Sequence, residues 1–202
     1  MTPRQRAMWI VLLVATAISC IHPPFPKQML LQHFPTVALL IALPLIVRRY
    51  PLSDLTFGCI IAFMLFHIVG ARYIYSYVPY DEWTQRLFGF SLTQRFHLRR
   101  NHYDRVVHFA FGLLAGTPVR EIEQRYFGVQ PRIARFLAIE FVLAFSMLYE
   151  LFEWGLTMVL SPDDAGAYNG EQGDIWDAHK DMLSAAIGAI VWYLGSRVRV
   201  SR

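Results

Sequence analysis

The sequence contains few charged residues, and lysine is especially rare. Only 17% of its 202 residues are charged, against about 25% in an ordinary soluble domain, while 55% are hydrophobic. Lysine occurs only at Lys27 and Lys180, so arginine supplies most of the net charge of +4. The apolar residues come in long blocks separated by short polar connections, which indicates an integral membrane protein rather than a soluble domain.

Cysteine and familiar sequence motifs are also scarce. Cys20 ends the first apolar block and Cys59 lies near the start of the third, so we expect them at offset membrane depths and predict no disulfide. The sequence has no H-E-x-x-H, no Gly-x-Ser-x-Gly and no P-loop. The arginines are spread between the apolar blocks, as in membrane loops, and this argues against nucleic acid as a partner.

Six apolar blocks predict an all-α, polytopic membrane protein with a bundle of about six transmembrane helices. The predicted spans are residues 8–21, 29–47, 55–75, 103–119, 133–160 and 175–194, in a single domain covering residues 1–202. Blocks one and four fall short of the roughly 20 residues that a span requires. Block four becomes long enough only if Asp104, Arg105 and His108 lie within its first two turns.

Prolines mark the expected ends or kinks of two helices. Pro35 and Pro44 are expected to start or kink the second helix. Arg120 and Glu121 follow Pro118 and are expected to terminate the fourth.

Arginine placement predicts the orientation of the chain in the membrane. Arginines at 48–49, 120–135 and 197–202 favour a cytoplasmic N-terminus and a cytoplasmic C-terminus. The loop at 161–176 contains Asp163 and Asp164 and no Lys or Arg, which suits the outside. A cleaved signal peptide is the rival interpretation of Arg4, Arg6 and the first apolar block, and it would leave five spans.

The loop at 76–102 is amphipathic. Its aromatic residues alternate with charged ones: Tyr77, Tyr80, Trp83, Phe88, Phe90 and Phe96. Such rings favour the headgroup region, so the loop is predicted to form an interfacial helix or hairpin that caps the bundle, with a substrate lid as the alternative.

Ionisable side chains inside or at the ends of the spans are the main functional signal. An ionised group in hydrocarbon costs about 2.5–3.5 kcal/mol on insertion scales, so each one requires a partner or a function. The predicted topology puts all of them near the outer face of the membrane. They are Asp104, His108, Glu150, Glu153, Glu171, Asp174, Asp177 and Asp181.

The spacing of these residues predicts which of them share a helix face. Asp104 and His108 are four residues apart, and Glu150 and Glu153 are three apart. Either pair can hold a metal or move a proton, or it can form an ionic contact between helices. The third group, Asp174, Asp177 and Asp181, follows the same spacing at the start of a helix. There Asp174 is a candidate N-cap, and the helix macrodipole offers an alternative reason for acidic residues.

Together these groups predict an acidic and possibly metal-binding site. The candidate catalytic residues are Asp104, His108, Glu150, Glu153, Asp177 and Asp181; the candidate metal ligands are His108, Glu150, Glu153, Asp174, Asp177 and Asp181. Carboxylates with one imidazole suit Mg²⁺, Mn²⁺, Ca²⁺ or Zn²⁺. The leading hypothesis is a metal-dependent hydrolase or transferase that acts on membrane lipid or envelope material.

Two other hypotheses remain open. An ion-coupled transporter predicts a water path past Glu140 to the cytoplasm and broken helices near Pro44 or Pro118. A non-catalytic membrane scaffold predicts a cationic partner for every carboxylate. Glu140 is expected on the cytoplasmic side, paired with Arg120 or Arg135.

Several strings resemble the YjdF-like family of bacterial inner-membrane proteins, over roughly residues 5–195. They are Arg100-Asn101-His102-Tyr103-Asp104-Arg105 with His108-Phe109, Pro118-Val119-Arg120-Glu121, Tyr149-Glu150 with Glu153-Trp154, and Gln172-Gly173-Asp174-Ile175-Trp176-Asp177 with Asp181-Met182. The resemblance implies a multi-spanning inner-membrane protein and supplies no activity.

Overall fold

The computed structural model describes residues 1–159 and 170–196, and these residues form helices without any strand. The α-helices are α1 (Pro3–Ser19), α2 (Pro26–Arg49), α3 (Asp54–Tyr73), α4 (Tyr80–Phe88), α5 (Leu92–Phe96), α6 (Tyr103–Tyr126), α7 (Pro131–Thr157) and α8 (Asp177–Gly195), with a 3-10 turn at Tyr75–Tyr77. The predicted all-α class is confirmed. Leu160, Asp163, Asp164, Arg197, Arg199 and Arg202, which entered the sequence predictions, lie outside the described residues.

The six long helices form two halves of three. Helix α3 packs against α1 and α2, and α6 packs against α7 and α8. Contact between α3 and α6 joins the halves. The first half is centred on buried apolar residues such as Leu12, Leu43 and Phe57.

One end of the bundle, called the site end, gathers the C-termini of α1, α3 and α7 and the N-termini of α2, α6 and α8. There the Arg72 guanidinium donates to the Ser19 carbonyl at the end of α1, at 2.7 Å. The His67 ring on α3 lies 2.9 Å from the Gln32 carbonyl on α2. Positive charge at a helix C-terminus is favoured by the macrodipole, so this contact stabilises the Arg72 guanidinium and ties the end of α1 to α3.

The opposite end gathers the remaining termini. The Gln5 amide on α1 donates to the Leu52 carbonyl at 2.9 Å, and the Arg135 guanidinium on α7 donates to the Tyr193 carbonyl on α8 at 2.5 Å. The Glu121 carboxylate on α6 accepts from the Ser53 backbone N–H at 2.7 Å, at the start of α3. The six long helices therefore alternate in direction.

Among the residues that the structure describes, two helices, α2 and α3, are long and apolar enough to cross a membrane by length and composition. The bundle also presents large apolar side chains outwards on both halves. On α2 the Phe34 side chain is 77% exposed, and Phe136 and Leu148 on α7 are more than half exposed. This surface suits hydrocarbon rather than water.

Pro35 and Pro44 do not start α2, while a kink at either proline stays a prediction. Helix α2 begins at Pro26 and contains both Pro35 and Pro44. Helix α6 continues through Pro118 to Tyr126, so the predicted termination at Arg120 and Glu121 is wrong. The reason lies in tertiary contacts of the later turns, because Glu121 accepts hydrogen bonds at the start of α3.

The loop before α6 contains the short helices α4 and α5. The carboxylate of Asp81 accepts from the Ser91 hydroxyl and the Thr93 backbone N–H, each at 2.9 Å, and so joins the two helices. Leu87, Phe88 and Phe96 are exposed. The arrangement matches the amphipathic hairpin indicated by the sequence, while its place at an interface or as a lid stays a prediction.

Small residues bring α6 and α8 into backbone contact. A Cβ added at Gly112 would lie 2.0 Å from the Ala185 carbonyl oxygen, and one at Gly188 would lie 2.2 Å from the Phe109 carbonyl oxygen. Glycines at helix crossings of membrane proteins permit this close approach. The Trp192 indole, which donates to the Thr117 hydroxyl at 2.9 Å, fixes the same pair further along.

This contact predicts that Gly112→Ala destabilises the bundle. The methyl group would meet backbone that cannot move without separating the helices, so we expect a loss of about 1–3 kcal/mol in the free energy of unfolding. Denaturant titration of the detergent-purified protein measures this loss of stability.

The control is Gly155→Ala on α7, where an added methyl meets nothing within 4 Å. Stability there should be unchanged or higher, by up to about 1 kcal/mol. Equal effects at both positions would contradict the packing account.

Candidate functional site

The site end brings charged side chains from three segments together. The residues before α6 and its first turns supply Arg100, Asp104 and Arg105, and the last turns of α7 supply Glu150. The segment before α8 and its first turns supply the acidic groups that end with Asp181. The close packing of α6 on α8 sets the distance between their first turns.

The outer part of the site is an ion-pair cluster, consisting of Arg100, Arg105, Lys180, Asp174 and Asp177. Arg100 contacts both carboxylate oxygens of Asp177, with Nη2 to Oδ2 at 3.1 Å. Arg105 donates to Asp174 at 2.6 Å and lies 3.3 Å from Asp177. Lys180 contacts Asp174 at 2.7 Å. Three cations thus face two carboxylates.

Arg100, besides pairing with Asp177, also holds the backbone of the segment before α8. The Arg100 guanidinium donates to the carbonyls of Gly170 and Glu171, each at 3.0 Å. Gly170 and Gly173 have φ of 69° and 81°, a left-handed conformation that favours glycine. The segment preceding α8 is therefore fixed against the start of α6.

Asp174 stays ionised at neutral pH. The hydrogen bond from Lys180, and after it that from Arg105, holds the pKa of the Asp174 carboxyl well below its usual range. Its role is that of a counter-ion for Lys180 and Arg105.

The inner part of the site is called the inner carboxylate cluster and consists of Asp104, His108, Glu150, Glu153 and Asp181. His108 Nε2 lies 3.3 Å from Glu150 Oε1 and 3.7 Å from Asp104 Oδ1. Three possible ligand atoms, one each from Asp104, His108 and Asp181, lie within 4.8 Å of one another, and all three residues are buried. Glu153 is also buried.

Cationic groups within ion-pair distance are few in this cluster. The Arg105 Nε–H lies 3.9 Å from Asp181 Oδ1, too far for a hydrogen bond. Asp181 is only 2% exposed, and Asp181 Oδ1 and Glu150 Oε1 accept no hydrogen bond from the described residues. Ionised carboxylate oxygens that are buried without donors are costly, so Asp181 and Glu150 require either a proton or a bound cation.

A cavity of about 410 Å³ adjoins the inner carboxylate cluster. Asp104 and His108 form part of its wall, and most of the remaining lining is apolar. Ser146, which is buried on α7 one turn before Glu150, also lines it, and its hydroxyl has no hydrogen-bond partner among the described residues. The lining comes from α2, α3, α6 and α7 and from Tyr75 in the 3-10 turn: Leu31, Gln32, Phe34, Pro35, Phe63, Met64, His67, Tyr75, Asp104, Val107, His108, Phe111, Phe145, Ser146, Tyr149 and Phe152.

The structure divides the residues that the sequence grouped as one site. Asp104, His108, Glu150, Glu153 and Asp181 meet in the inner carboxylate cluster, whereas Asp174 and Asp177 belong to the ion-pair cluster. Their roles in catalysis or metal binding stay predictions.

Two finer assignments change. Asp174 is not the N-cap, since α8 begins at Asp177 and its N-cap is Trp176; Asp174 instead accepts from the Trp176 backbone N–H at 3.2 Å. Glu140 is exposed and, within the described part of the chain, lies in no ion pair with Arg120 or Arg135. Arg135 binds the Tyr193 carbonyl instead.

Sequence reasoning missed the polar groups of the cavity wall. His67 Nδ1 lies 2.5 Å from the Tyr75 hydroxyl, and both residues are buried. A histidine inside an otherwise apolar span was the available signal for His67. For Ser146 the signal was its position four residues before Glu150, on the same helix face.

Comparison with known proteins supports the membrane setting. The family model described as "Predicted membrane protein (DUF2238)" matches residues 4–201. The chain is 34% identical over 162 residues to the inner membrane protein YjdF of Escherichia coli strain K12, covering 80% of this chain and 73% of that protein. No solved structure matches. Both matches agree with the family resemblance that the motifs indicate.

Proposed function

This chain belongs to the DUF2238 family of predicted membrane proteins, and we propose that it is a divalent-metal-dependent hydrolase or transferase acting on lipid or envelope material. The carrying observation is the convergence of ligand atoms from Asp104, His108 and Asp181, within 4.8 Å of one another in buried surroundings. Two carboxylates and an imidazole form a donor set suited to Mg²⁺, Mn²⁺ or Zn²⁺.

The surroundings of Asp181 support a cation in this place. Among the described residues Arg105 is the cationic side chain within ion-pair distance of Asp181, at 3.9 Å, and Arg105 is also paired with Asp174 and Asp177. Asp181 Oδ1 is buried without a donor. A divalent cation would neutralise two carboxylates at once and take up the oxygens that lack hydrogen bonds.

The adjoining cavity supports a reaction on an apolar substrate. Asp104 and His108 face both the proposed ion and the cavity, because they belong to both sets of residues. A bound divalent cation would supply a Lewis acid for a carbonyl or phosphoryl oxygen. His108 would bind that cation through its imidazole, and Glu150, whose Oε1 lies 3.3 Å from His108 Nε2, would orient the ring.

The other two hypotheses fit less of the site. A transporter was expected to have broken helices near Pro44 or Pro118, and both prolines lie inside continuous helices. A purely structural network explains Asp174 and Asp177, which have cationic partners, but leaves Asp181 Oδ1 without a donor.

For the membrane topology we propose six spans, with both termini and the opposite end of the bundle in the cytoplasm. In the sequence, eleven arginines fall before α1, between α2 and α3, between α6 and α7, after α8, or in the helix turns beside these segments, whereas the segments of the site end hold six arginines and two lysines. At the opposite end Arg48 and Arg49 are exposed in the last turn of α2. The excess of arginine favours that end as the cytoplasmic one. The inner membrane is the setting of the E. coli relative.

Metal content tests the site with two matched aspartates. Detergent-purified protein, equilibrated with each divalent cation and desalted, should hold near-stoichiometric metal by elemental mass spectrometry. Asp181→Asn should lose most of it, because a ligand becomes a neutral amide. Asp174→Asn should keep it, since Asp174 is already bound by Lys180 and Arg105. Wild-type protein without metal, or equal loss in both variants, would refute the proposal.

Native cysteines test the orientation. Cys20 is exposed and follows α1 at the site end. In a Cys59→Ser background, a membrane-impermeant maleimide should label Cys20 from the periplasmic side of intact spheroplasts. Labelling only after the membrane is lysed would reverse the proposed orientation.

A further inference from the structure

We propose that the cavity holds one acyl chain of a bilayer glycerophospholipid, which enters sideways from the membrane between α2 and α7. The assignment of the lipid's ester region to the inner carboxylate cluster rests on the proposed function. Binding of the chain does not, because it depends on the cavity walls alone.

The cavity lies beside the seam between the two halves of the bundle. Helix α2 packs on α1 and α3, and α7 packs on α6 and α8, yet both α2 and α7 line the same cavity. The deep wall is formed by buried residues of the joining helices, Met64 on α3 and Val107 on α6. The space between α2 and α7 is therefore its side opening.

The rim of this opening is apolar and exposed. Phe34 of α2 is 77% exposed, and Phe145 and Phe152 of α7 are about half exposed, while all three line the cavity. A charged, water-soluble ligand would have to pass these rings, whereas a lipid chain beside the protein already contacts them. The apolar rim therefore favours a ligand that enters from the hydrocarbon core of the membrane over one that enters from water.

The size and polarity of the cavity fit one chain with a polar attachment. Its volume of about 410 Å³ is low in the range of roughly 300–1,000 Å³ for small-molecule sites, which favours one chain over two. Polar groups occur at defined points on its wall, namely Asp104, His108 and the unpartnered Ser146 hydroxyl. That hydroxyl is a ready donor for an ester carbonyl.

Photo-crosslinking tests this assignment. The protein is reconstituted in nanodiscs that contain phosphatidylglycerol with a diazirine in one acyl chain, and labelled peptides are mapped by mass spectrometry. Labels should concentrate at residues 31–35 and 145–152. Ser146→Leu should remove most of them, because its larger apolar side chain fills the cavity.

The plugged variant should remain folded, since it replaces a buried hydroxyl that lacks a partner. Val107→Phe plugs the cavity from the opposite wall if Ser146→Leu fails to fold. Leu148→Phe, on the outward face of α7, is the matched control and should leave labelling unchanged. Labelling spread evenly over the outer surfaces of the long helices, or unaffected by either plug, would overturn the proposal.

Two further experiments distinguish a phospholipid from a free fatty acid, and the acyl-chain site from the metal site. A diazirine fatty acid is run in parallel, and stronger cavity labelling by it than by the phospholipid would overturn the glycerophospholipid assignment. Asp181→Asn should retain the cavity labels while losing metal. Cavity labelling of a wild-type protein that binds no metal would uphold the chain site and reject the proposed function alone.

Discussion

A carboxylate buried in hydrocarbon has to be neutralised, and the site end of this bundle depends on that requirement. Asp174 and Asp177 meet it with the guanidinium groups of Arg100 and Arg105 and with Lys180. In the inner carboxylate cluster, by contrast, Asp181 Oδ1 has no hydrogen-bond donor among the described residues. The site therefore consists of an outer layer of ion pairs, which orders the backbone before α8, and an inner layer in which one oxygen each of Asp181 and Glu150 lacks a donor among the described residues.

Helix packing makes this division possible. Gly112 and Gly188 allow α6 and α8 to meet at backbone distance, so Asp104, His108 and Asp181 lie within reach of one ion. Arg100 precedes α6 and ties the segment before α8 to it through the carbonyls of Gly170 and Glu171. A side chain that neutralises charge thus also fixes where α8 starts. The apolar cavity results from the way the two halves meet, because α2 and α7 line it from opposite sides.

Much of the fold was predictable from hydropathy, and the helix faces were predictable from spacing. Asp104 with His108 on α6, and Asp181 on α8, converge as their periodicity indicated. The end of α6 was misjudged, because local propensity says nothing about Glu121 accepting hydrogen bonds from the start of α3. The separation of Asp174 and Asp177 from Asp181 was not predictable either, since it depends on which carboxylates two arginines from another segment reach. The cavity required tertiary structure, because its walls come from helices that are far apart in sequence.

Pulsed electron paramagnetic resonance of tag-free protein loaded with Mn²⁺ is the most direct measurement of the central claim, that the inner carboxylate cluster binds a metal ion. The imidazole of His108 is the one nitrogen ligand among the three converging residues, so it gives the ion a distinctive magnetic neighbour. The account predicts a directly coordinated nitrogen in the wild-type spectrum and its disappearance in His108→Gln. A bound ion without nitrogen coupling, or with coupling that survives in His108→Gln, would contradict it.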